Sequence, residues 1–395
     1  MERSDLIELL SPEGLRLLDG LPPYRSQGDV LRAVATLRKQ GHPASLVATV
    51  LTQAKLRAHA ESKFGAFASR MLFTEAGLEQ ATRFAVAALH AGRYRDAGLH
   101  SVADLGCGIG GDAMAMAAID LDVTAVEADD VTAVIAGYNL APFSNAHVVH
   151  GRAEDQEVSA FDGVFLDPAR RTAGHSDTRR LSDPDAYSPP LGFAFALAER
   201  MPAGVKLGPG LDRGLIPASA EAQWVSVAGQ VVELGLWFGP LARDGIRRSA
   251  LLLGERGAAE LHAAADSADA EIVPLGRYLY EPDGAVIRAR LIGDLARELD
   301  AGMLSDSIAY LTGDRAVTTP FASRFRVREL LPFPERQLKA ALRERHIGTL
   351  EIKKRGVDVE PAALRSRLAL KGENAATLVL TRMNGKHVAI LADRD

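Results

Sequence analysis

The run Val102-Ala103-Asp104-Leu105-Gly106-Cys107-Gly108-Ile109-Gly110-Gly111-Asp112 carries the most specific chemistry in this chain. It predicts a short apolar strand, a glycine-rich turn and a helix beginning near Asp112. Glycines remove the Cβ atoms that would hold a ligand off the backbone, and they accept positive φ. The helix beyond points its free N–H groups into the loop. A nucleotide-like cofactor is held this way at the first turn of a doubly wound sheet. Gly106, Gly108 and Gly111 also fit the G-x-G-x-x-G spacing of dinucleotide sites, with Glu127 closing the next strand at the offset those sites use. A nicotinamide dinucleotide is therefore one reading. Asp104 favours another, because a carboxylate just before the loop repels a pyrophosphate and attracts the ammonium of a methionine moiety.

The following elements supply further polar groups. Asp122 to Glu127 (D-V-T-A-V-E) reads as a β-branched strand ending in an acid, while Asp129 and Asp130 suit helix N-capping. A third strand, Ala146 to His150, leads into Gly151-Arg152-Ala153-Glu154-Asp155. A fourth strand ends in Leu166-Asp167-Pro168-Ala169-Arg170-Arg171. Open α/β sheets place their chemistry at the carboxyl ends of strands. Pro168 restricts the residue before it and fixes the turn, which aims the Asp167 carboxylate into the cleft. The plain structural alternative for Asp167 is a turn or capping acid.

The D-x-G-x-G at Asp104 to Gly108 resembles motif I of the class I S-adenosylmethionine-dependent methyltransferases, and the run ending in Asp167-Pro168 resembles their motif IV. The resemblance implies an α/β protein built on a Rossmann-like sheet, with S-adenosylmethionine as cofactor. It implies that Asp104, Gly106, Cys107, Gly108 and Gly110 hold the methionine end, and that Glu127, beside Ala128, meets the ribose hydroxyls. Relatives often carry an acid directly after the glycine that follows the third strand. Arg152 stands there instead, so adenine falls to the backbone of Ala153 and Glu154, with Glu154 or Asp155 supplying a carboxylate. Amino-group methylating relatives usually read Asn-Pro-Pro-Tyr or Asp-Pro-Pro-Tyr in motif IV. Here Ala169 and Arg170 replace the second proline and the aromatic that stacks on a flipped base. Phe73 and Thr74 lie where related enzymes place a cofactor lid. Thr74 is thus a cofactor contact, with helix packing and an N-cap as the structural alternatives for the pair.

The single cysteine, Cys107, excludes intramolecular disulfides and thiolate-rich metal sites, and no metal is expected. Methylation at pyrimidine carbon 5 generally needs a cysteine nucleophile, and Cys107 lies inside the cofactor loop as a small filler. Direct in-line transfer to nitrogen or oxygen remains, with Asp167 and Pro168 forming the catalytic turn.

The 395 residues exceed one typical domain, and the 47% hydrophobic fraction is that of a globular protein. No apolar run approaches the ~20 residues of a membrane span, and the N-terminal residues carry no secretory pattern. The expected compartment is the cytoplasm. Charge is uneven. Residues 320–395 hold 16 Lys and Arg against 9 Asp and Glu, net +7, and the rest hold 30 against 42, net −12. A basic tail on an acidic body points to a polyanionic partner.

Four regions follow. Residues 1–97 read as helical, from Leu15-Leu17-Leu18, Val30-Leu31-Val34-Leu37 and Leu46-Val47-Val50-Leu51. Residues 98–255 form the catalytic sheet, with a fifth strand at Gly204-Val205-Lys206-Leu207. Beyond it Gln223 to Val227, Val231 to Phe238 and Arg248 to Leu253 read as antiparallel strands, with Trp224 and Trp237 as core aromatics. The stretch Thr172 to Pro190 is a candidate substrate loop, where Arg170, Arg171, His175, Arg179 and Arg180 are either phosphate contacts or a solvated surface. Residues 256–319 read as a connector, within which the alternation of Tyr278 and Tyr280 predicts partial burial. Residues 320–395 alternate strand, helix, strand, helix and strand. With the upstream motifs, they resemble bacterial methyltransferases that carry a small α+β C-terminal THUMP-like domain. That resemblance implies RNA, as tRNA or rRNA, for a partner and substrate, with Lys353, Lys354 and Arg355 at its phosphates. A non-catalytic S-adenosylmethionine-binding protein associated with RNA, and a methyltransferase for proteins or small molecules, are the competing readings. Nothing in the pattern bears on oligomeric state.

Overall fold

The computed structural model describes residues 1–22, 34, 36–170, 187–255 and 257–395. The chain divides into two compact units: one comprises Met1–Leu207, Leu211–Ser219 and Leu236–Ala242, the other Gly208–Gly210, Ala220–Gly235 and Arg243–Asp395.

The first unit opens with helices α1 (Arg3–Leu9), α2 (Pro12–Asp19), α3 (Ala44–Phe64), α4 (Glu75–Gln80) and α5 (Phe84–Asp96). Ser11 caps α2 through the N–H of Gly14, and Thr74 caps α4 through that of Gly77. A parallel sheet follows, in the order β7 (Ala203–Leu207), β4 (Gly163–Leu166), β1 (Ser101–Leu105), β2 (Asp122–Glu127) and β3 (Ala146–His150). The intervening helices are α6 (Gly111–Ala117), α7 (Asp130–Leu140) and α8 (Leu191–Ala198). Strand order reverses between β1 and β4, which opens a crevice at their carboxyl ends. β1 and β4 are buried through nearly their whole length, as expected of parallel strands covered on both faces. A short ladder joins β5 (Ala169–Arg170) to β6 (Tyr187–Ser188).

The second unit contains β8 (Glu221–Val227), most of β9 (Gln230–Phe238), β10 (Arg248–Gly254) and β11 (Gly257–Ala263). The expectation that Gln223 to Val227 and Arg248 to Leu253 are antiparallel is corrected: β8 and β10 pair in parallel, and β10 is antiparallel to β11. Alternation along each strand reports which face is buried and carries no information on strand direction. Trp224 and Trp237 are both core residues, each 1% exposed.

The remaining strands of this unit are β12 (Tyr278–Pro282), β13 (Gly302–Ser305), β14 (Ile308–Gly313), β15 (Ala322–Leu331), β16 (Ile347–Lys354), β17 (Asn374–Met383) and β18 (Lys386–Arg394). They form one sheet in the order β13-β14-β12-β15-β18-β17-β16. Helices α9 (Gly284–Arg288), α10 (Ile292–Leu299), α11 (Glu335–Glu344) and α12 (Pro361–Leu368) complete the unit. Leu338 and Leu342 of α11 pack with Leu364 and Leu368 of α12 on Ile352, Leu378 and Leu391. Tyr280 is fully buried and its hydroxyl donates to the carbonyl of Arg315, while Tyr278 is half-buried.

Candidate active site

Register alone assembles the site. Leu105 of β1 is level with Val126 of β2 and with Leu166 of β4, and Leu166 is level with Val205 of β7. The next residues along these strands, Gly106, Glu127, Asp167 and Lys206, therefore share one row at the carboxyl end of the sheet. The amides of Gly106 and Cys107 both donate to the carbonyl of Val126, at 2.9 and 3.0 Å. Gly106, Gly108 and Gly110 adopt φ of 94°, 55° and 85°. Gly110 ends the loop as the left-handed N-cap of α6.

A cavity of about 310 Å³ lies over this row. Its wall is made by the glycine loop, Glu127 to Asp129, Gly151 to Glu154, Asp167, and residues between Thr74 and Thr82. A Cβ built on Gly108 meets nothing within 4 Å, and one on Gly106 comes within 3.5 Å of the Asp167 carbonyl oxygen. The loop thus leaves its backbone open to a ligand and lies directly against the fourth strand's turn.

Asp104 is 1% exposed, and neither carboxylate oxygen has a hydrogen-bond partner among the described residues. It is not itself part of the cavity lining. Burial, then the nearby Asp112 and Asp167, push its carboxyl well above the usual range, against a smaller pull from Lys206. A buried acid so placed has no directly bonded cation among the described residues. Glu127 accepts N–H groups from Gly108 at 3.0 Å and from Asp129 at 2.8 Å. Burial pushes its carboxyl up despite those hydrogen bonds. The orphaned acid, the open glycine backbone and the cavity volume together fit a cofactor with a cationic methionine end and a ribose.

The other expected contacts fall in different places. Ala128, Ala153 and Glu154 line the cavity, with Glu154 paired to Arg152 at 2.8 Å, whereas Asp155 is exposed and outside the lining. Thr74 lines it too, but its hydroxyl is engaged by the Gly77 N–H at 2.9 Å. Phe73 is fully buried, 5.8 Å from the ring of Phe64, and belongs to the core. Cys107 lines the cavity, and burial, then Asp104 and Glu127, push its thiol up, as suits a filler better than a nucleophile. Pro168 is buried behind Asp167. The side chain of Arg170, and all of Arg171, His175, Arg179 and Arg180, lie outside the described residues.

The tail cations divide. Lys353 pairs with Glu281 at 2.9 Å, and Arg355 donates to the Ala309 carbonyl at 2.8 Å and lies over the Tyr310 ring. These contacts draw the end of β16 onto β12 and β14, although β16 lies at the far edge of the sheet in strand order. Lys354 is exposed.

Sequence reasoning missed a chain of polar side chains beneath the cavity. Lys206 Nζ lies 2.5 Å from Asp167 Oδ2 and donates to Thr82 Oγ1 at 2.9 Å. Thr82 donates to Asp112 Oδ2 at 2.6 Å, and Asp112 Oδ1 is 2.8 Å from His90 Nδ1. The available signal was a lysine inside an otherwise apolar fifth strand. Two buried amides hold the segment before α4. Gln53 exchanges hydrogen bonds with both backbone groups of Phe73, and Asn139 does so with Leu72 while also donating to Ile109 of the glycine loop.

Among the described residues, no cluster of His, Cys, Asp and Glu could hold a metal ion, and no helix is long and apolar enough to cross a membrane.

Residues 322–394 match the THUMP domain-like family, and residues 2–60 match a domain of unknown function, DUF8688. Uncharacterized S-adenosylmethionine-dependent methyltransferases of two Mycobacterium tuberculosis strains, CDC 1551 and H37Rv, are each 34% identical to this chain over 342 residues. The match covers 83% of this chain and 90% of each relative. A crystal structure of a candidate methyltransferase from Porphyromonas gingivalis W83 has the same fold, with a TM-score of 0.74 at 21% identity, covering 100% of this chain and 99% of the other.

Proposed function

Because the chain belongs to the S-adenosylmethionine-dependent methyltransferases, and so is an enzyme that uses that cofactor, we propose that its methyl acceptor is RNA, tRNA or rRNA. The observation that carries this reading is the THUMP domain-like segment at residues 322–394, in the part of the chain whose net charge is +7. THUMP domains are associated with RNA, and a basic module suits a phosphate backbone. In this reading residues 1–97 form the helical region, 98–255 the methyltransferase domain, 256–319 a connector and 320–395 the THUMP-like domain.

The bound cofactor supplies a methyl group on an electrophilic sulfonium. Asp104 answers the charge of its ammonium, the loop from Gly106 to Gly110 leaves room for its methionine end, and Thr74 closes over that end. Glu127, beside Ala128, accepts from the ribose hydroxyls, and Ala153 and Glu154 frame the adenine. Asp167, held by Pro168 at the end of β4, orients the acceptor nitrogen or oxygen and takes up the proton it releases. Positioning does most of the work in such a direct transfer. Arg170, Arg171 and Lys354 meet phosphates, while Lys353 and Arg355 hold the end of β16 in place.

The test is transfer of labelled methyl from S-adenosylmethionine to small RNA, rRNA, DNA and protein, with Asp167→Ala as control. Label in one RNA fraction, lost in the control, is the expected result. Label in protein, or in none of the pools while the cofactor binds, overturns the RNA assignment.

A further inference from the structure

Lys206 stands at the carboxyl end of β7, in a strand that is otherwise Ala, Gly, Val and Leu. It is only 7% exposed. An ammonium costs much free energy to bury unless paired and hydrogen-bonded. Here the partners are Asp167 at 2.5 Å and Thr82 at 2.9 Å. Thr82 gives its only proton to Asp112, so it can meet Lys206 only through a lone pair. The donors between Lys206 and Asp112 thus have one direction, from Lys206 outward to Asp167 and, by way of Thr82, to Asp112, which His90 meets from its other side.

The two ends of this chain matter separately. Asp167 and Asp112 both line the cavity, and Asp112 stands in the first turn of α6, directly after the glycine loop. We infer that Lys206 is a positioning residue for methyl transfer: it fixes Asp167 on the cavity wall, fastens it to the cofactor loop and supplies the counter-charge of the acidic floor. This rests on the role given to Asp167 above. A brace far from the reaction needs only to pack. A counter-charge beneath the cavity also sets how strongly the floor prefers a cationic ligand over a neutral one.

S-adenosylmethionine and S-adenosylhomocysteine differ by that charge, since the methylated sulfur is a sulfonium and the product sulfur a neutral thioether. Calorimetric Kd values for both ligands are measured at about pH 8 and low salt on wild type, Lys206→Met, Lys206→Gln and Lys206→Arg. Removing the ammonium leaves carboxylates uncompensated, so the ratio of product Kd to donor Kd rises by roughly threefold to tenfold in the Met and Gln variants. The Arg variant keeps the wild-type ratio. The Gln variant retains hydrogen-bonding capacity and carries the test should the Met variant not fold. Equal weakening of both ligands in all the variants, or no change in the ratio, overturns the inference and leaves Lys206 a structural brace. Neither ligand measurement requires an acceptor, so absence of RNA labelling by wild type would sink the proposed substrate without deciding the role of Lys206.

Discussion

His90 Nδ1 meets Asp112 Oδ1 at 2.8 Å, with both side chains buried and the His90 ring 5.4 Å from that of Phe165. Burial alone would raise the Asp112 carboxyl. The hydrogen bond and charge of His90, followed by Lys206 and Thr82, hold it below the usual range instead. A depressed carboxylate contributes stability that is complete above its unfolded value, about 3.9, and is lost as pH falls through the folded one. His90→Phe leaves Asp112 with less compensation. Its unfolding free energy should drop by about 3 kcal/mol near neutral pH, and stability should rise less with pH from the acid side than in wild type. Urea unfolding across a pH series checks both. An unchanged profile would mean that His90 contributes packing alone.

Asp104 has the opposite sign. Its raised carboxyl means that stability is lost as pH climbs above the unfolded value and toward the folded one, because burial and the nearby Asp112 and Asp167 resist the charge. Asp104→Asn removes that penalty, so Tm at neutral pH should hold or rise. Affinity for S-adenosylmethionine should fall by about tenfold to a hundredfold, the worth of a charge-assisted contact. Thermal melts and calorimetry on the same preparation separate the two effects. A lower Tm with unchanged affinity would make Asp104 a structural residue.

The loop glycines should part company in the same assays. Gly108→Ala places its methyl in open space, so beyond the strain of a φ of 55° its cost falls on the bound cofactor. Gly110→Ala has a φ of 85° and brings its methyl to 3.3 Å from Leu140. The first should weaken cofactor binding by more than tenfold with a modest loss of Tm, and the second should cost about 1–3 kcal/mol of stability. Similar melts for both variants would contradict the assignment.

The cations of the THUMP domain-like segment should likewise split. Lys353→Ala and Arg355→Ala break contacts to Glu281 and Ala309 and should lower Tm. Lys354→Ala should leave Tm unchanged while weakening RNA binding and flattening its salt dependence by about one unit of slope. Melts and filter binding at several salt concentrations distinguish them.

What the sequence made legible was the order of elements and the row they end on. The residues from Asp104 to Gly110 announce a loop through composition alone, and the acid at Glu127 and the Asp-Pro turn at Asp167 mark the ends of their strands. Lys206 escaped because nothing near it in sequence is its partner, and only register sets it beside Asp167. The parallel pairing of β8 and β10 escaped because periodicity records burial and not direction. The strand Lys386–Arg394 was not separately foreseen, since Lys386 and His387 dilute its apolar alternation at the start. Lys353 and Arg355 read as phosphate contacts because Glu281, their partner, is distant in sequence.

The amides of Gln53 and Asn139 bear on how this chain could have been assembled or recombined. Each grips backbone groups of the Leu72–Phe73 segment, and Asn139 holds the carbonyl of Ile109 with the same side-chain nitrogen that reaches Leu72. Backbone groups exist in every sequence, but the amides that satisfy them come from helices on opposite sides of the glycine loop in chain order. A crossover between Phe73 and Ser101 takes Gln53 and Asn139 from different parents, and a parent with no amide at position 139 leaves the buried backbone groups of Leu72 unsatisfied. The stretch from Gln53 to Asn139 is therefore one heritable block, and chimeras between relatives should tolerate junctions outside it better than any within it.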